Sequence, residues 1–159
     1  MLKIRNATVD DISSIIALER AAASAAHWTE SQYRGVFSPG TTTTRNLVLV
    51  AEKTADETSD AAVPLLGFLV ARQISPEWEL ENIVVAGSAR RNKIGKQLLK
   101  ALLVAARQTN SQTVFLEVRE SNGPARAFYE KAGFQEVGRR KSYYKDPQED
   151  AILYRYGLC

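Results

Sequence analysis

One stretch constrains this chain more than any other. The apolar, β-branched run Asn82-Ile83-Val84-Val85 is followed closely by the basic turn Arg90-Arg91-Asn92-Lys93-Ile94-Gly95-Lys96, and then by a helix. The first run reads as a buried strand. In the helix, Ile94, Leu98, Leu102 and Ala105 recur at helical spacing and lay down one apolar face. A strand that feeds a helix through a short basic turn gathers free backbone N–H groups and the positive end of the helix dipole at one point. Flanking cations then favour a phosphate-bearing ligand. A plain βα turn with a solvated basic helix face fits the same residues, so the rest of the chain has to decide.

With 159 residues the chain is expected to form a single domain over 1–159, with a real core. Hydrophobic content of 45% and charged content of 25% sit near globular averages and argue against disorder. A net charge of +3 is too mild for a nucleic-acid binder, and no helix is basic enough along one side to anchor to a membrane. The only cysteine is Cys159 and the only histidine is His27. That excludes an internal disulfide, a CxxC pair, a Cys- or His-based metal site and a His-dependent triad, so no metal is expected. With no signal-type leader and no run of membrane-spanning length, the expectation is a soluble cytoplasmic protein.

The chain opens with a short half-buried strand around Leu2 and Ile4, and Thr8 with Asp11 starts a helix in capping-box fashion. Thr29 is the predicted N-cap of a second helix, with Gln32 at N3 and Trp28 stapling onto Tyr33; the helix ends near Ser38-Pro39-Gly40. Strands are predicted at 47–51, 65–74 and 78–85, with a polar connection over 53–62 and Gly67 as a bulge or close-approach point. Beyond the long helix come a strand at 113–118, a short helix at 122–131 capped by Ser121 or Asn122, and closing strands at 134–144 and 151–158. The order βααβββαβαββ predicts an α/β fold with a mixed sheet.

That order and these motifs resemble the GNAT superfamily of acetyl-CoA-dependent N-acetyltransferases. The family's phosphate-binding signature is Gln/Arg-x-x-Gly-x-Gly/Ala, and Arg90-Arg91-Asn92-Lys93-Ile94-Gly95 falls on it in register. Lys93 departs from it, standing where the first glycine allows close backbone approach and an unusual φ. The branch most similar is that of the RimI-like ribosomal-protein alanine N-acetyltransferases. The resemblance is carried by Trp28-Thr29-Glu30, Asn82 to Val85, Leu116-Glu117-Val118-Arg119 with Ser121-Asn122, and Ala127-Phe128-Tyr129-Glu130. It continues through Gly133-Phe134, Arg139 to Tyr144 and Glu149-Asp150-Ala151.

The resemblance implies a mostly antiparallel central sheet flanked by helices, and acetyl-CoA as co-substrate. It implies that the coenzyme's pantetheine pairs with the backbone of Ile83, Val84 and Val85, and that backbone N–H groups from Arg91 to Lys96 hold the pyrophosphate. A backbone N–H in the strand would polarise the thioester carbonyl. Glu117 matches a general base, Tyr129 the acid that protonates the leaving thiolate, and Asn122 a coenzyme contact. Tyr143 and Tyr144 match tyrosines lining a peptide groove. From the residues alone, Val114, Leu116 and Val118 share one strand face and leave Glu117 on the other, where an acid beside apolar neighbours suits a base near neutrality. An edge-strand glutamate paired to an arginine fits the same pattern, Tyr129 reads equally as a core aromatic, and Tyr143 and Tyr144 as cross-strand packing.

Glu79 is a rival base, because the histone-acetylating branch places its glutamate six positions before the end of this strand. Alternation puts Glu79 and Glu81 on one face with Ile83. Arg126, Lys96 and Lys100 are candidate partners of the coenzyme's outer phosphate, and His27 reads as a helix-entry residue. An α-amine with a pKa of about 7.7–8.0 is roughly 10–15% neutral at pH 7, against ~0.04% for lysine, so a single carboxylate suffices for an N-terminus. The acceptor expected is a protein N-terminus, such as that of a ribosomal protein beginning with alanine. A small-amine acetyltransferase and a non-catalytic acyl-CoA-binding module are the competing readings.

Overall fold

Eleven helices and strands follow the predicted order: β1 (Leu2–Asn6), α1 (Ile12–Ala21), α2 (Glu30–Val36), β2 (Thr44–Lys53), β3 (Leu65–Ile74), β4 (Glu77–Val85), α3 (Ile94–Gln108), β5 (Thr113–Arg119), α4 (Gly123–Lys131), β6 (Gln135–Tyr144) and β7 (Glu149–Gly157). They come from a computed structural model that describes residues 2–22, 28–39, 44–54, 63–89, 93–145 and 147–158. The strands form one sheet in the order β1-β2-β3-β4-β5-β7-β6. Every pairing is antiparallel except β4 with β5.

Local chemistry explains the helix ends. Gln32 N–H donates to Thr29 Oγ1 at 3.1 Å and Thr29 N–H donates to Gln32 Oε1 at 2.7 Å, so two free N–H groups of α2 are satisfied reciprocally. The Trp28 and Tyr33 rings lie 5.3 Å apart, the predicted staple. Thr8 heads a short 3-10 turn, Val9–Asp11, rather than α1 itself; its N–H donates to Asp11 Oδ2 at 2.8 Å. Asn122, not Ser121, caps α4, accepting from Ala125 N–H at 3.2 Å.

The sheet separates two apolar clusters. On one face α3 and α4 bury Ile94, Leu98, Leu99, Leu102, Leu103, Ala106 and Tyr129 against Leu69, Trp78, Leu80 and Leu116. The buried stripe of α3 is therefore broader than the spacing of Ile94, Leu98 and Leu102 indicated, and Ala105 lies at its margin. On the other face α1 and α2 bury Ile12, Ile15 and Tyr33 against Val48, Val50, Phe68, Val70 and Val84. Gly67 makes the close approach expected of it: a Cβ there would sit 2.8 Å from the Val84 carbonyl oxygen.

Arg5 clamps the N-terminal edge. Its guanidinium donates to both Asp11 oxygens at 2.9 Å and to Glu52 at 3.1 and 3.3 Å. Hydrogen bonds from Arg5 hold the Asp11 carboxyl below the usual range. A depressed carboxyl contributes stability that is present above its unfolded value, near pH 4, and is lost as pH falls through the folded value. Arg5→Ala is expected to cost about 1–3 kcal/mol at neutral pH and less below pH 4, as urea unfolding at the two pH values would show.

Candidate active site

β4 carries an extra residue. Its register with β3 runs Val70↔Asn82 and then Ala71↔Leu80, so Glu81 has no partner and forms a bulge. Before the bulge Trp78 and Leu80 face the α3 side, and after it Val84 faces the α1–α2 side. All four even positions from Trp78 to Val84 are buried, yet they point into different clusters. The expectation that Glu79 and Glu81 share a face with Ile83 is therefore wrong. Ile83 and Val85 pack toward α3, whereas Glu79 lies on the opposite face, within reach of Arg72, which also approaches Glu81. Simple alternation fails because one inserted residue inverts it.

The parallel pairing of β4 and β5 covers only Glu77↔Thr113, Trp78↔Val114 and Glu79↔Phe115. Past that point β5 pairs with β7 alone, as far as Arg119↔Ala151. Among the described residues, the stretch of β4 from Leu80 to Val85 has no strand on its β5 side. Backbone N–H and C=O groups are thus available there for an extended ligand between two diverging strands.

The start of α3 closes the α3 end of this opening. Lys93, its N-cap, has φ 60° and ψ 24°, a left-handed conformation that a glycine adopts freely. Gly95 faces Phe128 and Val85, where a Cβ would come within 3.4 Å of the Phe128 ring. Arg90, Arg91 and Asn92, the remainder of the expected phosphate loop, lie outside the described residues, as does His27. A non-glycine residue in this region costs about 1–2 kcal/mol. Lys93→Gly is accordingly expected to raise stability by about 0.5–1 kcal/mol after the added chain entropy of glycine, measurable by denaturant unfolding.

On the α1–α2 face of the sheet, Glu117 projects from β5 and its Oε1 lies 2.9 Å from Arg140 Nε. The ion pair is the arginine partner that the sequence left open. The Arg140 guanidinium also lies 5.5 Å from the centre of the Tyr143 ring, and the Glu117 charge is the main cause raising the Tyr143 phenol above its ordinary range. Tyr144 stacks under Arg119 at 4.3 Å and meets Tyr143 edge-on at 5.1 Å. Burial, assisted by Glu117, raises the Tyr144 phenol as well. Glu79 belongs to the same neighbourhood: burial raises its carboxyl and the Glu117 charge adds to that, while Arg72 opposes it.

Tyr129 comes from α4, on the α3 side of the sheet. Its ring is buried among Phe128, Phe134 and Tyr154. Burial pushes the phenol well above its usual value, so it remains protonated throughout the neutral range. Asn122 spends its side-chain carbonyl on the α4 cap, which leaves its amide N–H groups for a ligand. Arg126 is committed elsewhere, donating to Tyr154 Oη and to the Glu120 carbonyl.

Two groups in this region were missed from the sequence. Glu19, only 1% exposed, accepts from Trp28 N–H at 2.7 Å and from Asn82 Nδ2 at 3.3 Å. Asn82 also donates to Tyr33 Oη at 3.1 Å. This network ties α1 and α2 to β4 directly after its bulge. Its signal was present: Glu19 falls on the Ile12-Ile15 apolar stripe, where an unpartnered acid does not belong.

These strands, the opening between β4 and β5, and the helix start beside it define an acyltransferase fold. Residues 15–134 match the Acetyltransferase (GNAT) family, and the chain belongs to that family. It is similar to the [ribosomal protein bS18]-alanine N-acetyltransferase of Haemophilus influenzae, with 39% identity over 92 residues, 56% of this chain and 62% of the relative. The chain thus spans 62% of that curated relative's length. The crystal structure of the ribosomal-protein-S18-alanine N-acetyltransferase from Escherichia coli superposes with a TM-score of 0.77 at 26% identity, covering 99% of this chain and 94% of that one. Arabidopsis thaliana NAA60 in complex with acetyl-CoA superposes at 0.81 over 99% and 98%; at 18% identity this likeness concerns the fold alone. No described helix is long and apolar enough to cross a membrane, and no group of three or more metal-ligating side chains occurs among the described residues.

Proposed function

We propose that this chain is an acetyl-CoA-dependent N-acetyltransferase that acetylates the α-amine of a protein N-terminus in the cytoplasm, with a ribosomal protein beginning with alanine as its acceptor. The observation that carries this reading is the arrangement around the β4–β5 opening. Glu117, Tyr143 and Tyr144 stand on one face of the sheet, and Tyr129 and the start of α3 on the other. The names of the relatives point to the same acceptor.

The residues present fit acetyl-CoA. The free edge of Leu80 to Val85 accommodates an extended pantetheine, and the N-terminus of α3 with Lys93 and Lys96 accommodates its phosphates. When bound, the coenzyme supplies an acetyl group activated as a thioester. The chain's part is to align and deprotonate the amine and to supply a proton. Glu117, oriented by Arg140, takes a proton from the incoming ammonium, directly or through water. Tyr129, held neutral by burial, gives its hydroxyl proton to the departing sulfur, and is reprotonated as the acylated nitrogen loses its second proton, directly or through water. A backbone N–H of Ile83 to Val85 serves the carbonyl oxygen. Tyr143 and Tyr144 wall the acceptor side.

The test is thiol release from acetyl-CoA with an Ala-starting basic peptide, the same peptide blocked at its N-terminus, and a panel of polyamines. Turnover with the free peptide alone is expected. Turnover on polyamines but on no peptide would assign a small-amine acetyltransferase instead, and no thiol release with any amine would leave an acyl-CoA-binding module.

A further inference from the structure

Tyr143 and Tyr144 are consecutive, and on a regular strand consecutive side chains point to opposite faces. Here both face the Glu117 side: the Tyr143 ring lies 5.5 Å from the Arg140 guanidinium that pairs with Glu117, and Tyr144 stacks under Arg119, two positions along the same face of β5. Their rings touch edge-on at 5.1 Å. What makes this possible is an irregularity in β6. Its register with β7 runs Arg140↔Ala151 and then Tyr144↔Glu149, so three residues of β6 oppose a single residue of β7, Asp150. Within those three, Ser142 has φ 52°, a left-handed conformation that serine rarely adopts.

Asp150 holds that kink from across the ladder. Its Oδ1 accepts the Ser142 N–H at 2.8 Å, and its Oδ2 accepts Arg139 Nη1 at 2.8 Å. Arg139 pairs in turn with Glu120 at 2.9 Å. The Asp150 main-chain carbonyl accepts the Glu120 N–H at 3.1 Å, which fixes the same residue to the end of β5. Asp150 therefore links the kink in β6 to the strand that carries Glu117.

We propose that Asp150 is a positioning residue that holds the left-handed kink at Ser142, and thereby sets both tyrosines in the acceptor cleft and determines acceptor affinity. The proposal rests on the reading of this face as the acceptor side. Asp150 touches neither acceptor nor coenzyme. Its effect passes through Ser142 to Tyr143 and Tyr144.

In Asp150→Ala the KM for the Ala-starting peptide is expected to rise about tenfold with the KM for acetyl-CoA unchanged, since the misplacement is confined to the acceptor wall. Alkaline absorbance titration gives a readout independent of turnover. Tyrosine released from Glu117 ionises nearer its ordinary range, so phenolate appears at lower pH in Asp150→Ala than in the parent, and a Tyr143→Phe, Tyr144→Phe background abolishes the difference. Adding Ser142→Gly to Asp150→Ala restores a near-parental KM, because glycine takes φ 52° without help. An unchanged acceptor KM, an equal rise in both KM values, or failure of Ser142→Gly to rescue would each overturn the proposal. If the parent acetylates spermidine and not the peptide, the acceptor KM is measured with spermidine. The N-terminal specificity then fails separately from the positioning role.

Discussion

Replacing Tyr129 by Phe is expected to lower kcat by about 10²–10⁴-fold while leaving acetyl-CoA affinity and melting temperature nearly unchanged. The ring is the structural part of this residue, filling the space among Phe128, Phe134 and Tyr154, and phenylalanine keeps it. Only the hydroxyl is lost. Because burial raises the phenol far above neutrality, its proton is retained over the whole assay range. A fall in kcat at alkaline pH therefore belongs to another group. Single-turnover thiol release, with coenzyme binding followed separately by calorimetry, checks both halves. Full activity in the Phe variant would return Tyr129 to a core aromatic and nothing more.

Glu117→Gln carries the second large effect, a loss of about 100-fold or more in kcat, because glutamine keeps the shape but cannot accept a proton. Glu79→Gln, beside it, is expected to cost no more than about tenfold, through the changed charge around Glu117. The two carboxylates differ in setting. Glu117 has Arg140 at 2.9 Å, whereas Arg72 approaches Glu79 only to 3.7 Å. The reverse order of losses would move the base to Glu79. Running both variants with the same peptide keeps acceptor effects out of the comparison.

What was legible in the chain followed rules of short range. Thr29 and Gln32 announced the start of α2 because a capping box needs only four residues, and Leu98 with Leu102 announced the inner face of α3 because helical period survives any tertiary context. The mostly antiparallel sheet, and the roles expected of Glu117, Tyr129, Tyr143 and Tyr144, came from family resemblance, not from periodicity. What stayed hidden was irregularity. Glu81 looks like one more member of an alternating strand, and Ser142 is not a residue that advertises a left-handed turn. Both depend on a partner strand for their geometry, Arg72 and Val70 in one case and Asp150 in the other. Lys93 was legible only because a family glycine was missing, and its φ of 60° supplies the reason a glycine is usual there.

The bulge at Glu81 changes the parity of β4, and that divides the strand into two addresses. Odd-numbered residues before it are delivered to the α1–α2 side, and odd-numbered residues after it to the α3 side. In the proposed reaction one strand would then present different residues to the amine and to the coenzyme. Under the proposed function, a substitution at 79 belongs to the amine's half, and substitutions at 83 and 85 to the coenzyme's. Variation in acceptor preference can accumulate at the start of this strand while the coenzyme edge a few residues on stays untouched.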